Sequence, residues 1–140
     1  MIFFKVVIKV ENLTEYAKEQ LKLCKGFIEA NNYNVVLVKP NYCELEGIIT
    51  STSTNHLNIA HGGFIFGLAD TAAGIAAMTD GRKAVTISSS INYLKPSKGS
   101  KLLAIAKFIK NGKSVAFFEV SIFDENNNLT SVANLTYHYL

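Results

Sequence analysis

The sequence predicts an α+β fold in which an antiparallel sheet curls around one long helix. Three observations carry this reading. Residues 62 to 78 are apolar over more than half of a helical circumference, so that helix is enclosed rather than laid on a surface. The residues after it form long runs of alternating character separated by short turn signals, the mark of antiparallel strands. Helical and strand segments are grouped instead of alternating strand by strand, which excludes a parallel βαβ sheet.

The elements follow in order. Residues 12 to 30 read as a first helix. Asn12 is its N-cap, with Glu15 three positions on, and Leu13, Ala17, Leu21, Cys24 and Ile28 recur at helical spacing. The Asn31-Asn32 pair ends it. Val35 to Val38 is a short β-branched strand, and from 42 to 50 the residues Cys43, Leu45, Gly47 and Ile49 share a face. Residues 51 to 60, small and polar, form a loop. The enclosed helix then runs from Gly62 to Met78, with Gly81 as its stop. In 83 to 94, Val85, Ile87, Ile91 and Tyr93 face one way and Thr86, Ser88, Ser90 and Asn92 the other. Pro96 and Gly99 mark a turn, residues 101 to 110 a strand, and Asn111-Gly112 a hairpin. Ala116, Phe118, Val120 and Ile122 line one face of the return strand. A turn at 124 to 128 leads to a last strand with Ala133, Leu135, Tyr137 and Tyr139 on one face.

At 140 residues the chain reads as one domain spanning 1–140, long enough to bury about 68% of its unfolded surface. Lys plus Arg is 14 and Asp plus Glu 11, a dispersed +3 that argues against a nucleic-acid partner. With 49% apolar and 18% charged residues, disorder is excluded. A mean hydropathy of +0.19 points to apolar surface held against another subunit. Two cysteines, Cys24 and Cys43, read as buried thiols in a reducing compartment, hence a cytoplasmic protein. The opening MIFFKVVIKV is a poor signal peptide, and no run reaches the length of a membrane span.

Chemistry concentrates on the enclosed helix. Gly67, Asp70, Thr71 and Gly74 fall at i, i+3, i+4 and i+7 and form one stripe of small or polar residues. Such a stripe admits another backbone or a ligand. Asp70 is the sole charge between His61 and Asp80. A carboxylate there suits a general base or nucleophile. It equally suits a group bonded to a neighbouring hydroxyl or facing water at a subunit seam. His61-Gly62-Gly63 opens the helix, where free N–H groups and the helix dipole can polarise a carbonyl. Asp70 lies seven residues beyond Gly63, about 10 Å along the axis. If both act on one bond, the carboxylate comes from a second subunit across a two-fold.

Asn55, His61-Gly62-Gly63, Leu68-Ala69-Asp70-Thr71-Ala72 and Asn92-Tyr93-Leu94-Lys95-Pro96 together resemble the hotdog-fold acyl-CoA thioesterases. The similarity is greatest to the phenylacetate-degradation (PaaI-like) group, which also resembles one class of 4-hydroxybenzoyl-CoA thioesterase. It covers residues 35 to 140. The resemblance implies a hotdog fold, an acyl-CoA substrate, homodimers and tetramers built as dimers of dimers. It implies that the Gly63 N–H polarises the thioester carbonyl and that Asp70 of the partner subunit activates water or attacks. It also implies that Asn55 helps to place the water and that His61 orients the loop or contacts the thioester. Thr86 falls where relatives carry a water-positioning hydroxyl. Asn58 competes with Asn55 for register, Lys95 stands where Arg is common, and residues 1 to 10 match no part of the pattern, leaving them as an edge strand or oligomer contact.

Gly62 and the basic residues Arg82, Lys83, Lys95, Lys98 and Lys101, near the ends of the strand 83 to 94, are candidates for the rim that meets the CoA phosphates. A solvated turn is the competing reading for each lysine. No metal-ligand spacing, phosphate loop or dinucleotide fingerprint occurs, so no metal and no cofactor beyond the substrate's CoA is expected. Two other activities stay open: a hotdog enoyl-CoA hydratase, and an acyl-CoA binding module without chemistry.

Overall fold

The computed structural model describes residues 12–140. The reading of residues 1 to 10 as an edge strand or oligomer contact lies outside them. The order is α1 (Leu13–Lys22), α2 (Phe27–Ala30), β1 (Tyr33–Lys39), β2 (Tyr42–Ile48), α3 (Gly62–Ala77), β3 (Ala84–Tyr93), β4 (Lys101–Asn111), β5 (Val115–Asp124) and β6 (Leu129–Tyr139). The strands form one antiparallel sheet ordered β1-β2-β4-β5-β6-β3. All six strands contact α3, so the sheet wraps it as expected. No helix among the described residues is long and apolar enough to cross a membrane.

Burial explains why the periodicities were informative. On α3, Phe64, Ile65, Leu68, Ala69, Ala72, Ala73 and Ile75 to Ala77 are buried. They meet the inward rows of the sheet: Cys43 and Leu45; Leu102, Ala104 and Ala106; Ala116, Phe118, Val120 and Ile122; Ala133, Leu135 and Tyr137. The alanines of α3 let the strands approach closely, and burying each large aliphatic side chain contributes about 1.5–3 kcal/mol. Gly67, Asp70, Thr71 and Gly74 form the half-buried stripe left over.

The first helix is shorter than its periodicity predicts. Asn12 does cap it, its side chain accepting from the Glu15 N–H at 3.1 Å. Asn12→Ala is expected to lower stability by about 1 kcal/mol, read as a shift of the urea midpoint at unchanged slope. The helix stops at Lys22 with Leu23 as its C-cap, and Gly26, at φ +89°, precedes a second short helix that starts at Phe27. Cys24, expected buried, is half-buried, whereas Cys43 is fully enclosed.

Two strand readings are corrected. The hairpin after β4 is present, but Asn111 belongs to β4 and residues 112 to 114 make the connection. In β3, a register shift between Thr86 and Ser88 breaks the single alternation at Ile87. Thr86 faces α3 before the bulge and Ile91 packs on the core after it. Val85, Ile87 and Tyr93 are 44%, 59% and 50% exposed instead of forming one inner face.

Candidate functional site

Three tyrosines from the sheet donate to carbonyls of α3. Tyr33 reaches the Phe64 carbonyl at 2.6 Å, Tyr137 that of Asp70 at 2.6 Å, and Tyr139 that of Ala77 at 2.9 Å. Gly67 makes room for the first of these, while Gly74 lies in ordinary contact with the second. A Cβ on Gly67 would stand 2.7 Å from the Tyr33 hydroxyl and from the Phe27 ring, and one on Gly74 would touch Tyr137 at 3.6 Å. The small-residue stripe is therefore partly occupied by rings of the same chain.

Asp70 sits in the middle of that stripe. Its Oδ1 accepts from Thr86 Oγ1 at 2.6 Å and from the Tyr137 hydroxyl at 2.8 Å. Burial, then the Asp70 charge, push the Tyr137 phenol well above its ordinary range. Beside the carboxylate lies a hollow of about 400 Å³ lined by Leu21 and Ile28 from α1 and α2, by Thr71, Gly74, Ile75 and Met78 at the α3 side, and by Ala84, Val85 and Thr86 of β3.

The opening turn of α3 holds the second group. His61 is its N-cap, and Nδ1 accepts from the Gly63 N–H at 2.8 Å. The donor expected to polarise a carbonyl is thus engaged by an exposed imidazole of its own chain. The Gly62 carbonyl accepts from the Tyr93 hydroxyl at 2.8 Å. Asn55 ties its loop, its Oδ1 accepting from the Leu57 N–H at 2.9 Å, and shares a hollow of about 330 Å³ with Gly62, Tyr93 and Lys95. Asn58, its competitor in register, takes φ +59° as the left-handed residue of that loop and is not part of the hollow's lining. Asn55, Gly62 and Lys95 therefore line one hollow, with His61 and Gly63 in the adjoining turn, while Asp70 and Thr86 line another.

The basic residues divide as well. Arg82 bonds Asp80 at 2.7 Å, the Gly112 and Lys113 carbonyls at 3.1 and 3.0 Å and Asn111 Oδ1 at 3.0 Å, and it stacks 3.5 Å over the Tyr139 ring. That network pins the β4–β5 connection. Lys83 is exposed at the start of β3, while Lys95 and Lys98 are exposed beyond its far end, about 30 Å of strand away. Lys101 pairs with Glu46 at 3.4 Å. Sequence reasoning missed Tyr137 as a partner of Asp70. Its strand face placed it toward the helix, and a phenol buried there needs an acceptor.

A sheet wrapped round an enclosed helix, with a hydroxyl-bonded carboxylate on that helix's open stripe, places the molecule in the hotdog class. The chain belongs to the thioesterase superfamily, whose family model matches residues 57–131. A putative esterase of Archaeoglobus fulgidus is 30% identical over 135 residues, covering 96% of this chain and 88% of the relative. The acyl-coenzyme A thioesterase PaaI of Escherichia coli is 25% identical over 105 residues, covering 74% and 75%, and the solved structure of the E. coli PaaI protein superposes with a TM-score of 0.83 at 20% identity, covering 91% of this chain and 96% of that one. The structure of smu.793 from Streptococcus mutans, bound to acetyl CoA, gives a TM-score of 0.77 at 27% identity, covering 84% and 93%.

Proposed function

We propose that the protein hydrolyses acyl-CoA thioesters to a free acid and CoA, with Asp70 as the base or nucleophile. The observation that carries this is a carboxylate held by two hydroxyls at the edge of an apolar hollow, in a chain of the thioesterase superfamily. In the base form, Asp70 takes a proton from water as the water oxygen bonds to the acyl carbon. The carbonyl oxygen gains the negative charge, and the helix N-terminus stabilises it. The C–S bond then breaks, and the proton goes to the departing thiolate. For Gly63 to donate to that oxygen, the exposed His61 imidazole turns away from it. CoA is part of the substrate, and no separate cofactor is assigned.

The two hollows meet in a dimer. β3 is a sheet edge of ten residues without a charge, and its Val85, Ile87 and Tyr93 are exposed. Edges left unblunted in this way pair with another chain. Two β3 edges paired antiparallel across a two-fold set the Lys83 end of one beside the Lys95 and Lys98 end of the other, giving the phosphates a composite rim. They also bring one protomer's Asp70 toward the other's helix start. Ile87→Lys is expected to convert the dimer to monomer in light scattering and to lower turnover at least tenfold, because like charges meet across the axis. Full turnover by a proven monomer would sink the shared site.

The hollow beside Asp70 is walled mainly by aliphatic side chains, which fits an apolar acyl group, fatty or aryl. Thiol release from short, medium, long and aryl-CoAs, phenylacetyl-CoA included, tests the reading. Loss of enoyl absorbance from crotonyl-CoA without thiol release would favour a hydratase. Saturable binding without turnover would favour a binding module.

A further inference from the structure

Thr86 and Tyr137 are directly opposite each other in the β3–β6 pair. Both side chains point at α3, and both hydroxyls reach the same oxygen of Asp70, at 2.6 and 2.8 Å. A carboxylate on a helix otherwise exchanges its two oxygens by rotating about its last torsion, whose preference is broad. Here Oδ1 is held from the sheet side. Among the described residues no hydrogen bond reaches Oδ2.

Tyr137 is the more constrained of the two donors. It is 2% exposed, and its ring meets Phe118 edge-on, with centroids 6.0 Å apart at 88°. It also lies against α3 at Gly74, one turn beyond Asp70. Its proton is shared between Oδ1 and the Asp70 backbone carbonyl, so side chain and helix backbone are fixed by the same hydroxyl.

We propose that Tyr137 is a positioning residue for the hydrolytic step. With Thr86 it pins Oδ1, so that Oδ2 is the oxygen presented to the attacking water or the thioester. The proposal rests on the thioesterase reading for its catalytic meaning, while the clamp itself stands on geometry.

Tyr137→Phe keeps the ring and removes only the hydroxyl. Its bonds to the Asp70 carboxylate and backbone carbonyl are lost, so kcat is expected to fall about tenfold or more, with KM nearly unchanged and the melting temperature lowered by a few degrees but the fold kept. A lower kcat at constant KM, with turnover kept in the wild type, supports the proposal. Unchanged kcat, in a preparation where wild type turns over and Asp70→Asn does not, overturns the positioning role. Turnover of no acyl-CoA by wild type and variant alike overturns the thioesterase reading, and the positioning role with it.

Discussion

Asp70→Asn is expected to cut acyl-CoA turnover about 10²–10⁴-fold, the usual weight of a general base, while leaving the fold intact. Asparagine has the same shape and retains an Oδ1 that accepts from Thr86 and Tyr137. What it loses is the charge that takes a proton or attacks a carbonyl. The two sequence readings of Asp70 therefore separate cleanly. A catalytic carboxylate gives a folded, inactive variant whose melting temperature lies within a few degrees of wild type. A carboxylate kept only for its hydrogen bonds gives a folded, active one. Asp70→Ala is the harsher control. It strips the Thr86 hydroxyl of its carboxylate partner and leaves the Tyr137 hydroxyl only the backbone carbonyl, so its inactivity alone would mix lost chemistry with lost support. Thiol release and thermal melts on the same preparations decide between the readings.

Asp70 stood out in the sequence because a lone charge on an apolar helix conflicts with burial, and conflicts of that kind are visible in a linear string. The helix and three inward strand faces were readable for a related reason. Burial imposes periods of 3.6 and 2, and α3, β2, β5 and β6 obey them without interruption. The misreadings came where one residue shifts the phase. Cys24 and Ile28 continue the helical spacing of α1 past Lys22, where the helix in fact ends, and Gly26 at positive φ sets off a separate short helix. Ile87 looks like part of an apolar face until the bulge at its position turns the face over. In the site, the local hydrogen bond from Gly63 to His61 depends on a rotamer, and Arg82 looks like a free cation until the β4–β5 connection folds onto it. Tyr137 is 67 residues from Asp70 in the chain. Their meeting requires β6 to lie between β5 and β3, a property of strand order that neither residue's neighbours reveal.

That strand order also joins the core residue Phe118 to the site through its contact with Tyr137. Phe118→Ala is expected to cost about 3–5 kcal/mol, a large part of the 5–15 kcal/mol that a domain of this kind has. Phe118 is fully enclosed in the middle of β5, among the largest such side chains, and its ring meets Tyr137 edge-on. Its removal leaves a gap between the sheet and α3 that alanines cannot fill, because Ala104, Ala106, Ala116 and Ala133 are already short and fixed on their strands. The Tyr137 ring is then free to tilt into the gap, which withdraws its hydroxyl from Asp70. Phe118→Leu fills most of the space and is expected to lose far less. Urea unfolding at several protein concentrations measures the stability term and separates it from any dissociation of the proposed dimer. Kinetics at a temperature where both variants remain folded measure the second effect. A folded Phe118→Ala with reduced kcat and ordinary KM joins core packing to carboxylate placement through Tyr137. A stability loss below about 1 kcal/mol would show that the sheet closes over the missing ring, and an unchanged kcat in the folded variant would show that Tyr137 keeps its place without Phe118.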